Sequence, residues 1–421
     1  MSADARMSEP ALFYRPFALV AFAAAVLGGA PLGVWMLAWL YGGAPATPAR
    51  WVLLHASLQI FGFFGTLIPG VAQHLVARFT GRPLARHPLT RPLLALLAAG
   101  LALRVAGTWG DAPAWLVLAA LLQGAAFAAF GWWGWRALDP PPLALVRRHL
   151  TLATAWLLAA CLLEVLLRGR ALARGAGAPD LGAMRAVYAL ALYGGVVGWV
   201  TGVLLRAGPM FVADWRLAPA AQRALAPLLA LGTVLAAAGE LGDWPGASGP
   251  ALARLGESLV LATVVGALAL GGAFRRARRS LPMLARSPEE SRIFRLAAAA
   301  VTAAAVGSAA ATLAALAGRP APVLTDAVRH LVTVGFLTAV VVAMAFRLLV
   351  VLEGRPLAWP RLRAVAFVAL LGGVLLRTAE VLPAWGLPGL APWVPLSGLL
   401  VWTALACVAA NLVAATLRPR R

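Results

Sequence analysis

A membrane's hydrocarbon core is about 30 Å thick and takes about 20 helical residues to cross. Apolar runs of that length recur in this chain from Phe17 to Leu417. Strands closing into a barrel would alternate polar and apolar residues with period two, and the runs show no such alternation. With 62% hydrophobic and only 12% charged residues, the chain lies far from soluble domains. The expected fold is all-α and polytopic. The spacing predicts twelve crossings: Phe17 to Tyr41, Trp51 to Ala77, Leu93 to Gly110, Ala114 to Trp135, Leu150 to Leu167, Met184 to Leu205, Ala224 to Leu241, Ala251 to Phe274, Leu296 to Ala317, Ala327 to Leu352, Ala364 to Val381 and Val394 to Leu417. The first residues carry Asp4, Glu9 and Arg15 and show no small-residue cleavage site after a short apolar core, so no cleaved signal peptide is expected.

The formal charge of +21 does not point to nucleic acid, because the basic residues are all arginine and cluster between apolar runs, where membrane lipid is the expected partner. Alternate loops are basic: Arg78 to Arg91, Arg136 to Arg148, Arg206 to Arg223, Arg275 to Arg295, Arg355 to Arg363 and Arg418 to Arg421. The positive-inside rule puts these loops and both termini in the cytoplasm. One loop, with Arg168, Arg170 and Arg174, breaks the alternation. Cys161 and Cys407 lie in separate apolar runs and support neither a disulfide nor a thiolate metal site.

Internal repetition organises the twelve crossings. A shift of 132 residues places Ala238, Gly239, Gly242, Asp243 and Pro245 on Ala106, Gly107, Gly110, Asp111 and Pro113. A shift of 273 places Gly335 and Phe336 on Gly62 and Phe63, Gly354 to Leu357 on Gly81 to Leu84, and Arg377 on Arg104. The reading is one integral membrane domain, 1–421, of three four-helix units, about 1–146, 147–291 and 292–421, with the second, sixth and tenth crossings equivalent.

The repeat sorts the histidines. His74 falls on Arg206 and Arg347, a position basic in all three units and expected at the interface. His87 and His149 lie in basic loops or at a helix start, where a solvated or capping role is the default. His330 falls on Ser57, two residues from His55, so these two imidazoles share nearly the same depth. His55 and His74 are 19 residues apart, about 28 Å along a helix, and cannot share a ligand. Two imidazoles on facing helices can hold a planar heme as axial ligands. Small residues would flank such a group, and Gly62, Gly65, Gly335 and Thr338 are the candidates. Its propionates would take arginine, from Arg329, Arg254 or Arg185. The alternative is that His55 and His330 hydrogen-bond between helices, with the glycines there for close packing.

The stretch HASLQIFGFFGTLIPGVAQHLVARFTGRPL resembles the second helix of NnrS proteins and of subunit I of heme-copper oxidases. RHLVTVGFLTAVVVAMAFRLLVVLEGRPL resembles the late histidine helix of NnrS proteins, with its H-x-x-T-V-G start and G-R-P end. These two helices carry the resemblance most strongly. It implies a heme-containing bacterial inner-membrane protein of the nitric oxide response, often tied to denitrification. It also implies a heme, b-type, held by His55 and His330. A redox partner or nitric oxide itself would then be the partner. The NnrS second helix commonly reads H-A-H-E, and here Ser57 and Leu58 replace the second histidine and the acid, which puts a copper site in doubt. An oxidase reaction centre would also need histidines on the sixth and seventh helices, where this chain has Tyr188 and Tyr193 but none.

Ionisable residues inside crossings cost about 3 kcal/mol or more unless paired or solvated. Glu164, Glu240, Glu257, Arg104, Arg377 and Glu380 qualify. Arg377 can pair with Glu380 one turn on, and Arg104 needs Glu164, Glu240 or Glu257. Such groups serve either a proton route or structural pairing between helices. A multi-pass transporter, or an oxidase-related assembly or electron-transfer protein without its own heme-copper centre, are the other function classes. Same-sense units fit the inverted halves of carriers poorly, and Ile68-Pro69-Gly70 is the one clear breaker within a crossing.

Overall fold

Hydrocarbon offers no partner to a backbone N–H or C=O, so each apolar run must close its hydrogen bonds within itself as a helix. The computed structural model describes residues 14–81, 88–176, 178–242, 244–245, 248–275, 288–353 and 356–417. His87, Asp243, Arg355 and the C-terminal arginines lie outside them. Twelve helices in this set are long and apolar enough to cross a membrane, and no strand occurs among the described residues. They are α1 (Tyr14–Gly42), α2 (Ala49–Thr80), α3 (Thr90–Trp109), α4 (Pro113–Ala137), α5 (Pro141–Ala173), α6 (Leu181–Met210), α7 (Pro219–Leu241), α8 (Ser248–Leu270), α9 (Pro288–Leu316), α10 (Pro322–Val350), α11 (Arg361–Ala384) and α12 (Pro388–Leu417). Each overlaps one expected crossing, and all twelve begin before its expected start.

Local chemistry sets the ends. Pro113, Pro219 and Pro322 open α4, α7 and α10, where a missing N–H costs nothing. Asp180 caps α6, accepting from the Ala183 N–H at 2.9 Å. Gly43 and Gly81 close α1 and α2 in the left-handed region, at φ 71° and 67°, which a side chain would strain.

The bundle has a centre and a rim. In α6, 83% of the apolar window is buried, against 33% in α12. Large side chains such as Leu27, Leu166, Leu313 and Val368 are exposed on the outside, as a lipid-facing surface requires. Neighbouring helices approach through small residues. A Cβ on Gly256 of α8 would lie 2.2 Å from the Ala236 backbone nitrogen of α7, so this crossing is backbone on backbone.

Four helices widen locally into π turns: Ala24–Gly29 in α1, Leu58–Phe64 in α2, Leu190–Val197 in α6 and Leu331–Thr338 in α10. The last three begin at residues that the sequence shifts of 132 and 273 bring into register. Such segments recur at functional sites because they disturb the regular hydrogen-bond ladder.

Arg168, the basic residue that broke the loop alternation, is only 5% exposed, and its Nε donates to Glu164 at 2.7 Å. It belongs to the interior, so it does not count as a loop charge.

Candidate cofactor site

His55 stands on the last α-helical turn before the π segment of α2. Its ring turns towards α1, where Nδ1 lies 2.7 Å from the carbonyl oxygen of Gly29, at the end of that helix's own π segment. A Cβ on Gly33 would sit 2.9 Å from His55 Cε1, so the ring packs directly onto bare backbone. The side chain that positions His55 is thus no side chain at all. Gly29 and Gly33 were invisible as site residues in the sequence, their only signal being the small-residue cluster Gly28-Gly29-Ala30.

His330 is the residue that leads into the π segment of α10. Its Nδ1 lies 2.9 Å from the Asp326 carbonyl oxygen, 3.5 Å from the Asp326 carboxylate and 3.1 Å from an Arg377 nitrogen of α11. Arg377 is held in turn by Glu380 and by the Asp326 carboxylate. Tyr41, at the end of α1, donates to Glu380 at 2.6 Å. His330, Asp326, Arg377, Glu380 and Tyr41 thus form one group of side chains drawn from α1, α10 and α11, and His55 of α2 packs against that same α1. Asp326 and Tyr41 were missed in sequence: Asp326 lies just before the expected start of the tenth crossing at Ala327.

The donor set fits a planar iron cofactor. When Nδ1 carries the proton and donates to a backbone carbonyl, the lone pair of a neutral imidazole is on Nε2, the nitrogen a metal takes. His55 has such a carbonyl at Nδ1; at His330 the Asp326 carbonyl shares Nδ1 with a donor nitrogen of Arg377, and among the described residues neither Nε2 has a hydrogen-bond partner. Side-chain exposure of 27% at His330 leaves the ring reachable.

The expected flanking residues divide. A Cβ on Gly62 would meet Ala24 at 3.0 Å and Leu101 at 3.2 Å, and one on Gly335 would meet Ala300 at 2.6 Å. Gly65 faces Phe127 at 3.2 Å. All three glycines therefore serve close helix contact. Thr338 satisfies its hydroxyl on the Thr333 carbonyl at 2.8 Å. Arg254 is committed to Glu240 and Glu257. Arg329 touches the same two carboxylates only at 3.3 and 3.8 Å and is 33% exposed, while Arg185 is 59% exposed. Arg329 and Arg185 thus both have donor capacity to spare, and Arg329 adjoins His330 in sequence.

A second buried cluster surrounds Arg104. Its guanidinium makes a bidentate pair with Glu164, at 2.7 and 2.6 Å, donates through Nε to Gln123 at 2.7 Å, and reaches Ser57 at 3.3 Å. Tyr188 of α6 bridges to α2 through Ser57, at 3.0 Å, and the Leu53 carbonyl, at 2.9 Å. Structural pairing, of the two readings open for these ions, is what this geometry performs: five helices share one buried network.

The remaining histidines correct the sequence reading. His74 is 1% exposed and accepts the Tyr14 N–H at Nε2, 3.2 Å away, so the start of α1 covers it. His149 is 3% exposed, which replaces the expected solvated or capping role. Both sit in the half of the bundle away from His55 and His330.

The profile of the NnrS protein family matches residues 11–420, nearly the full chain. The chain belongs to the NnrS family. Among solved structures, this NnrS-family chain is similar to a heme-copper terminal oxidase dimer determined by cryo-electron microscopy, at 15% identity and a TM-score of 0.71. The likeness covers 98% of this chain and 85% of that one, and it establishes a shared fold. No curated protein matches the NnrS-family chain. Among its described residues, no group of three or more His, Cys, Asp or Glu is arranged to hold a metal ion.

Proposed function

We propose that this NnrS-family protein holds a b-type heme between α2 and α10, with His55 and His330 as its axial ligands. The observation that carries the reading is that each Nδ1 lies against a backbone carbonyl while neither Nε2 has a hydrogen-bond partner among the described residues. Bound there, the iron would supply reversible one-electron chemistry. The protein's own part is to orient the two rings, through Gly29 and Gly33 on one side and Asp326 and Arg377 on the other. Arg329 is the nearest candidate for a propionate.

The setting proposed for this site is a bacterial inner membrane, both termini cytoplasmic, in a chain of three four-helix units. The role is in the response to nitric oxide or respiratory redox stress. Catalytic turnover and copper are outside the proposal, since Ser57 stands where the family's second-helix motif has a second histidine and is already bonded to Tyr188 and Arg104. The test is pyridine hemochromogen analysis of the purified full chain. A b-type spectrum at about one heme per chain is expected, and absence of any Soret absorption from protein made in heme-replete cells would overturn the reading.

A further inference from the structure

The two imidazoles of the candidate site differ in what stands behind them. Among the described residues, Nδ1 of His55 meets the Gly29 carbonyl oxygen, and one turn earlier in the helix stands Trp51. One turn before His330 stands Asp326, which brings to Nδ1 both its carbonyl oxygen, at 2.9 Å, and its carboxylate, at 3.5 Å. An Arg377 nitrogen lies 3.1 Å from the same Nδ1. That guanidinium is shared between the carboxylates of Asp326 and Glu380, so one positive charge faces two negative ones beside His330. Arg329, the next residue in the chain, turns instead to Glu240 and Glu257. The shift of 273 residues that carries Arg104 onto Arg377 puts Leu53 at the place of Asp326, so the acid belongs to the His330 side alone.

A carboxylate beside Nδ1 acts on a metal held at Nε2. It draws the Nδ1 proton towards itself and makes the ring a stronger electron donor. It also places a negative charge near a centre whose oxidised form carries one more positive charge than its reduced form. Both effects favour the oxidised form. Arg377 opposes them, but it is divided between two acids. Partial exposure of Asp326 lets solvent screen its charge and keeps the effect moderate. Resting on the heme reading above, we infer that Asp326 is a positioning residue that acts through Nδ1 of His330 to hold the reduction potential of the bound heme low. Orienting the ring does not require the carboxylate, since the backbone carbonyl of the same residue already meets Nδ1 at the shorter distance.

The test is an optical redox titration, at fixed pH, of the full chain purified from heme-replete cells beside Asp326→Asn and Asp326→Glu. The first variant keeps the size of the side chain and removes its charge; the second restores the charge. At any set potential the ratio of reduced to oxidised heme should be about tenfold or more higher in Asp326→Asn than in the wild type, a rise in midpoint of about 59 mV for one electron. Asp326→Glu should stay closer to the wild type than to Asp326→Asn, and all three proteins should share one low-spin spectrum. A midpoint in Asp326→Asn that is unchanged or lower, a rise of the same size in Asp326→Glu, or loss of the heme from Asp326→Asn overturns the inference and leaves the carboxylate a purely structural role. Absence of a Soret band from the wild type overturns the heme reading itself.

Discussion

Arg104 and Arg377 occupy the same place in two parts of the chain and are surrounded differently. The shift of 273 residues that carries Arg104 onto Arg377 also carries Ser57 onto His330. In each pair the arginine touches the residue opposite, Ser57 at 3.3 Å and His330 at 3.1 Å. Around Arg104 the site is sealed: Glu164 is fully buried, Gln123 takes Nε, and Tyr188 ties Ser57 to the next helix. Around Arg377 it is open, because Asp326 is 43% exposed and His330 keeps Nε2 unpartnered. One scaffold position therefore does two jobs. Closed with a carboxylate it locks helices together, and left open beside an imidazole it can serve a ligand.

That contrast can be broken at its closed end first. Glu164→Ala strands Arg104 and Arg168 in the interior, and loss of one partner of a buried ion pair costs about 3–5 kcal/mol. Thermal unfolding of the purified variant should show the largest drop of any single substitution named here, with a double Arg104→Met, Glu164→Leu variant recovering much of it. At the open end, Gly33→Ala drives a Cβ against the His55 ring, and overpacking of this kind costs about 1–3 kcal/mol. Its signature should be a lower heme content in a protein that still folds. Asp326→Ala should matter least to stability, less than about 1 kcal/mol, because the carboxylate is partly exposed and Arg377 keeps Glu380. A loss at Asp326 equal to that at Glu164 would erase the distinction between a closed and an open site.

Much of this was legible in the sequence. All twelve spans were, because apolar length and the need to satisfy the backbone leave little choice in a membrane. The pairing of Arg377 with Glu380 followed from the cost of an isolated charge, and the same cost left Arg104 with Glu164, Glu240 or Glu257, of which the structure pairs it with Glu164. His55 and His330 were separated from the other histidines by depth alone. What escaped depended on tertiary contact. Gly33 matters only because α1 lies against His55, and Tyr41 only because its hydroxyl reaches Glu380. Gly62 and Gly335 seat Ala24, Leu101 and Ala300, contacts that composition cannot show. His74 read as a rim cation because its equivalents are arginines, yet the start of α1 covers it.

The central claim is that His55 and His330 hold one heme between them, and optical and electron paramagnetic resonance spectra of four proteins test it most directly. The wild type should give the low-spin, six-coordinate spectrum of a bis-histidine heme. His55→Ala and His330→Ala should each lose it, while His74→Ala keeps it. A low-spin signal that survives both of the first two substitutions, or that vanishes only with His74→Ala, would contradict the account.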